Sequence, residues 1–112
     1  MKFETVGNPD KRKVLLVHAM FMDARSFSSL VEYLKDDYFI IIPTLDGHDV
    51  ENDSTFLSIY DEADKIINYL KYSGIKKLDF ILGTSLGAII ALEVYGRNEI
   101  EIDKVYLDGG PF

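Results

Sequence analysis

The stretch Leu78-Asp79-Phe80-Ile81-Leu82-Gly83-Thr84-Ser85-Leu86-Gly87-Ala88-Ile89-Ile90-Ala91 decides the fold. Its first five residues are a short apolar run of the kind that suits a strand covered on both faces. Residues 86–95 are apolar almost all round and stop at Gly96, which predicts a helix buried more deeply than the others. Between them, Gly83-Thr84-Ser85-Leu86-Gly87 matches G-x-S-x-G at a strand-to-helix junction. A serine on so tight a turn is held in a strained backbone conformation, and a side chain two residues before or after it would collide with the neighbouring strand or helix. The hydroxyl is then pushed out above the sheet. The next amide, that of Leu86, sits at a helix N-terminus, where unpaired donors favour a developing oxyanion. The alternatives for these five residues are a turn without chemistry and an anion-binding glycine loop.

Outward from this junction the apolar pattern alternates between the two periods. Val14-Leu15-Leu16-Val17, Phe39-Ile40-Ile41-Ile42 and Val105-Tyr106-Leu107 predict further strands, with an edge strand over residues 3–6. Phe27, Leu30, Val31 and Leu34 follow i, i+3, i+4, i+7 and predict a helix capped by Ser26. Phe56, Ile59, Tyr60, Ala63, Ile66, Ile67 and Leu70 hold one helical face, begun by Asp53 or Ser54 and stopped near Gly74. Strand and helix alternating in this way predict right-handed βαβ units: a three-layer α/β/α fold with a mostly parallel sheet, one domain over residues 1–112. Ligands of such sheets bind at the carboxyl ends of the strands, which directs attention to residues 18–23, 43–49, 83–87 and 108–112.

Composition narrows the function. With 112 residues, 47% of them apolar and 28% charged, the chain suits one small globular domain, whereas enzymes built on a large open sheet need about 200 to 250 residues. Runs such as Tyr38 to Ile42 fall far short of a membrane span. The start lacks the apolar stretch of a secretory signal, so a cytoplasmic protein is expected. Without Cys there is no disulfide, thiolate metal site or cysteine nucleophile. The net charge of −7 is concentrated between Asp36 and Asp64, where no Lys or Arg occurs. No basic stripe exists, so neither nucleic acid nor an anionic membrane is an expected partner.

At these residues the chain resembles the N-terminal half of the α/β-hydrolase family, over about residues 14–112. The resemblance is carried by the strand running into His18-Ala19-Met20-Phe21, similar to a His-Gly oxyanion loop; by residues 43–48, similar to a Gly-His turn; by the elbow at residues 83–87; and by Asp108-Gly109-Gly110 after the next strand. It implies Ser85 as nucleophile and the N–H groups of Met20 and Leu86 as oxyanion hole. Ala19 departs from the family's glycine, and its methyl is expected to tilt the loop and misaim the Met20 amide. No cofactor is implied.

A serine hydroxyl needs an imidazole to take its proton, and the imidazole needs a carboxylate. In this family the order is serine, acid, histidine, yet no histidine follows Ser85. His18 reads as the organiser of its own loop rather than as a base, and His48 as a loop-bracing or solvated residue. Asp108 reads as a turn residue, with a lipase-like acid position as the alternative. Asp46, His48, Asp49, Glu51 and Asp53 lack the EF-hand spacing and read as a solvated loop leading into a helix, not as a metal site. Met20, Phe21 and Met22 read equally as the lining of an acyl pocket or as core or rim packing.

These features predict a serine hydrolase acting on a small ester, thioester or amide through an acyl-enzyme on Ser85, of which this chain is an incomplete part lacking the triad histidine. The alternative is a non-catalytic remnant or binding module with the same sheet. A flavodoxin-like anion binder is a weaker third reading, because no phosphate-loop motif is present. In either main reading the strand at residues 105–107 is an open edge, which predicts self-association.

Overall fold

In the computed structural model, which describes residues 1–109, the apolar runs form five strands: β1 (Lys2–Val6), β2 (Arg12–Val17), β3 (Tyr38–Thr44), β4 (Lys77–Thr84) and β5 (Glu101–Asp108). Three helices join them, α1 (Ser28–Leu34), α2 (Ile59–Tyr72) and α3 (Leu86–Arg97). The sheet order is β1-β3-β2-β4-β5, with β1 antiparallel to β3 and every other pair parallel. No described helix is long and apolar enough to cross a membrane.

Side-chain alternation along the strands divides the core into two layers. Leu15, Val17, Ile41 and Ile81 point to one face and pack with Ile66, Ile67 and Leu70 of α2 and Ile90, Ala91 and Val94 of α3. Val14, Leu16, Ile40 and Ile42 point to the other and pack with Leu34 of α1 and with Phe27. Helices therefore cover both faces, the three-layer α/β/α arrangement that the sequence predicts. β2 and β3 are sandwiched and nearly dry. Among the described residues β5 pairs only with β4, and on the α1 side its Tyr106 stays 48% exposed, edge-on to Phe80 at 5.4 Å.

The helix starts differ from expectation. Asp23, not Ser26, caps the first one: its carboxylate accepts the Arg25 N–H, a 3-10 turn fills residues 24–27, and α1 begins at Ser28. The Ser26 hydroxyl instead donates to the Asp23 carbonyl. α2 begins four or five residues later than Ser54 or Asp53 predicts, because Ser58 makes the cap by accepting the Asp61 N–H. Ser54 is occupied, accepting the Gly47 N–H at 3.0 Å. α3 runs through Gly96 and ends where Asn98 turns left-handed at φ 54°. Gly74, at φ 75°, does stop α2.

Candidate functional site

β2 and β4 lie side by side, Val17 opposite Gly83. The chain leaves β2 for α1 on one face of the sheet and leaves β4 for α3 on the other. Neighbouring loops that depart to opposite faces open a crevice between them, which is where ligands of α/β sheets bind. Ser85 stands on the β4 side of this crevice with φ 53° and ψ −113°, a conformation sparsely populated by residues other than glycine. The flanking glycines make that turn possible. A Cβ on Gly83 would lie 2.2 Å from the Gly87 carbonyl oxygen, and one on Gly87 would lie 2.1 Å from that of Val17 and 2.6 Å from that of His18. The Ser85 N–H donates to the Asp108 carbonyl at 2.8 Å, and the Ser85 carbonyl accepts the Ala88 N–H at 3.0 Å as α3 opens. Ser85 is exposed.

Leu86 is the first residue of α3, so its amide has no partner within the helix. Met20 lies across the crevice in a turn closed by the Met22 N–H donating to the Ala19 carbonyl at 3.1 Å. Among the described residues neither the Met20 nor the Leu86 amide donates to an acceptor outside the regular elements. The positive φ in this turn falls on Phe21, at 65°, and Ala19 lies outside that region. Its methyl therefore meets no left-handed backbone requirement. Met20, Phe21 and Met22 are 49%, 90% and 53% exposed, which excludes core packing and leaves the rim or pocket alternative.

His18 is fully buried and both ring nitrogens are engaged: Nδ1 lies 2.8 Å from the Ala19 carbonyl and Nε2 accepts the Leu45 N–H at 3.0 Å. This pattern requires the neutral ring with the proton on Nδ1. Burial pushes its pKa below the usual histidine range, against the hydrogen bond to Ala19. The His48 ring packs 5.3 Å from that of His18 and edge-on to Phe56, with Nδ1 bonded to the Asp46 carbonyl at 3.0 Å. A shallow pocket of about 190 Å³ beside His48 is lined by charged residues including Lys2, Asp23 and Arg25, and Ser85 lies outside that lining.

The acidic run separates into two parts. Glu51 and Asp53 are exposed and Asp49 braces its own turn, accepting from Asn52 and Glu51. Asp46 is buried, and with Asp61 and Glu62 it places carboxylate oxygens within 4.8 Å of one another. Two ammonium groups already occupy this cluster: Met1 at 2.7 Å and Lys65 at 2.5 Å from the Asp46 carboxylate. Glu62, absent from the sequence-level candidates, is 0% exposed. The signal for it was its register, since it falls three residues after Ile59 on the apolar stripe of α2, where a carboxylate demands an explanation.

A covered, mostly parallel sheet with a strained Gly-Thr-Ser-Leu-Gly elbow at its switch point defines the class of the molecule, an α/β sheet protein that presents a serine. Residues 13–112 match the family model described as the alpha/beta hydrolase fold, and the chain belongs to that family. A protein of the α/β hydrolase family from Desulfitobacterium hafniense is 34% identical, with a TM-score of 0.95 over 99% of this chain and 45% of its own. A protein described as a lipase from Acinetobacter baumannii is 26% identical, with a TM-score of 0.83 over 98% of this chain and 38% of its own. A lipase-esterase related protein from Clostridium acetobutylicum is also 26% identical, with a TM-score of 0.83 over 97% and 46%. The chain thus spans less than half the length of the solved structures it is similar to. Among curated protein sequences none matches.

Proposed function

We propose that this chain is the N-terminal part of a serine hydrolase that cleaves a small ester, thioester or amide. Ser85 Oγ attacks the carbonyl carbon, and the Met20 and Leu86 N–H groups receive the negative charge that develops on its oxygen. Collapse of this intermediate expels the alcohol, thiol or amine and leaves an acyl group on Ser85, which water then removes. A base must take the hydroxyl proton and return it to the leaving group. His18 is unsuited, because its Nδ1 proton is held by Ala19 and its Nε2 lone pair by Leu45. The base and its carboxylate partner are therefore assigned to the part of a longer protein that this chain does not span; Asp108 touches the elbow through its backbone carbonyl. The observation that carries the reading is the Ser85 backbone, because a chain gains nothing in stability from φ 53° at a serine.

A fluorophosphonate probe tests it. The longer protein encoded by the same gene should label, and Ser85→Ala should remove the label. Ser85→Gly should remove it too while raising stability by about 1 kcal/mol in urea unfolding, since glycine adopts this backbone without strain. Labelling that persists in Ser85→Ala, or a wild-type protein that never labels, overturns the assignment.

The free strand supports a second proposal, on partners. Among the described residues one edge of β5 is unpaired, beside Phe80, Leu82 and Tyr106, side chains that no described helix fully covers. Such an edge pairs readily with another strand. The 112-residue chain should therefore dimerise or oligomerise in light scattering as concentration rises. A strict monomer at high concentration contradicts this.

A further inference from the structure

The loop after β3 is gripped at two consecutive peptide groups by buried titratable side chains. The Leu45 N–H donates to His18 Nε2 at 3.0 Å, and the Asp46 N–H donates to Glu62 Oε1 at 2.7 Å. Around Glu62 stand three carboxyls and two ammonium groups: Asp46, Asp61 and Glu62 itself, against Met1 and Lys65, with Lys65 also 3.2 Å from Asp61. The cluster is one positive charge short of neutral unless one carboxyl carries a proton. Glu62 is the one buried completely, and among the described residues its Oε2 meets no donor. An ionised oxygen there would be a buried charge without a partner, whereas a protonated one becomes a donor facing the Asp46 carboxylate.

We propose that Glu62 and Asp46 hold one proton between them, and that this proton and the neutral His18 ring form a matched pair locking the loop after β3. Their responses to pH oppose each other. Burial and the Asp46 carboxylate push Glu62 up to about 7 from 4.5, so above the lower value folding takes up a proton, and stability falls as pH rises until it levels near the upper one. Asp46 is held low by Glu62, Lys65 and Met1 despite its burial. His18, facing the Ala19 carbonyl, His48 and Asp23, is lowered from 6.5, so below that value folding expels a proton and stability falls as pH falls. Where the two windows overlap, one proton enters as another leaves. The lock is then insensitive to pH although each of its halves is not.

Glu62→Gln keeps an acceptor for Asp46 N–H and a donor for its carboxylate but cannot titrate. Urea unfolding of the wild type should give a folding constant nearly flat as pH approaches 6.5 from below, and falling just above. In Glu62→Gln the constant should rise over that approach, by up to about tenfold per pH unit, and then level. In parallel, the Glu62 carboxyl carbon of the wild type, followed by carbon-13 NMR, should titrate near 7 rather than near 4.5. Superimposable stability profiles for the two proteins, or a Glu62 carbon that titrates in the ordinary carboxylate range, overturns the proposal. Should the variant not fold, the carbon titration decides alone.

Discussion

Replacing Gly87 with alanine should cost about 3 kcal/mol in urea unfolding. The added Cβ would sit 2.1 Å from the Val17 carbonyl oxygen and 2.6 Å from that of His18, both backbone atoms at the buried end of β2. Neither can rotate away as a side chain would. Relief requires α3 to lift from β2, which opens the layer where Ile90, Ala91 and Val94 meet Leu15 and Val17. Gly96 of the same helix provides the control. It has an ordinary φ and nothing within 4 Å of an added Cβ, so Gly96→Ala should stabilise by about 0.5 to 1 kcal/mol. Equal effects at the two sites would show that α3 does not press on β2 in this way.

Replacing His18 with leucine should cost about 2 to 3 kcal/mol above pH 7. The ring is fully buried and joins two loops, since it bonds the Ala19 carbonyl of its own, accepts from Leu45 of the loop after β3 and packs on His48 there. Leucine fills similar space but leaves the Leu45 N–H without its acceptor. The cost should shrink as pH falls below about 6.5, because in acid the wild type must itself spend free energy to keep this ring neutral. Unfolding curves at about pH 5.5 and 7.5 measure both statements. A penalty that grows in acid would mean that the ring is charged in the folded protein.

The residues that were legible in the sequence are those whose role follows from local sterics or from period. The 83–87 elbow is one, because glycine spacing around a serine states a backbone requirement before any tertiary contact is known. The buried strands are another, since Val14 to Val17 and residues 39–42 are covered on both faces whatever their neighbours. Helix starts were misread at Ser26 and at Asp53 or Ser54. Several hydroxyls and carboxylates compete for each cap, and tertiary partners such as Gly47 for Ser54 settle the competition. The fragment His18-Ala19-Met20-Phe21 does not reveal that Phe21 takes the positive φ of its turn. Glu62 and Asp46 are separated by 16 residues, and their meeting depends on how α2 crosses the sheet.

The hydrogen bond from the Ser85 amide to the Asp108 carbonyl ties the pose of the hydroxyl to a neighbouring strand. A turn at φ 53° is not a resting state for a serine, and one of the bonds holding it comes from β5. Whatever loosens β5 from β4 should therefore slacken the serine as well, so the aim of the hydroxyl depends on a strand in which it does not lie.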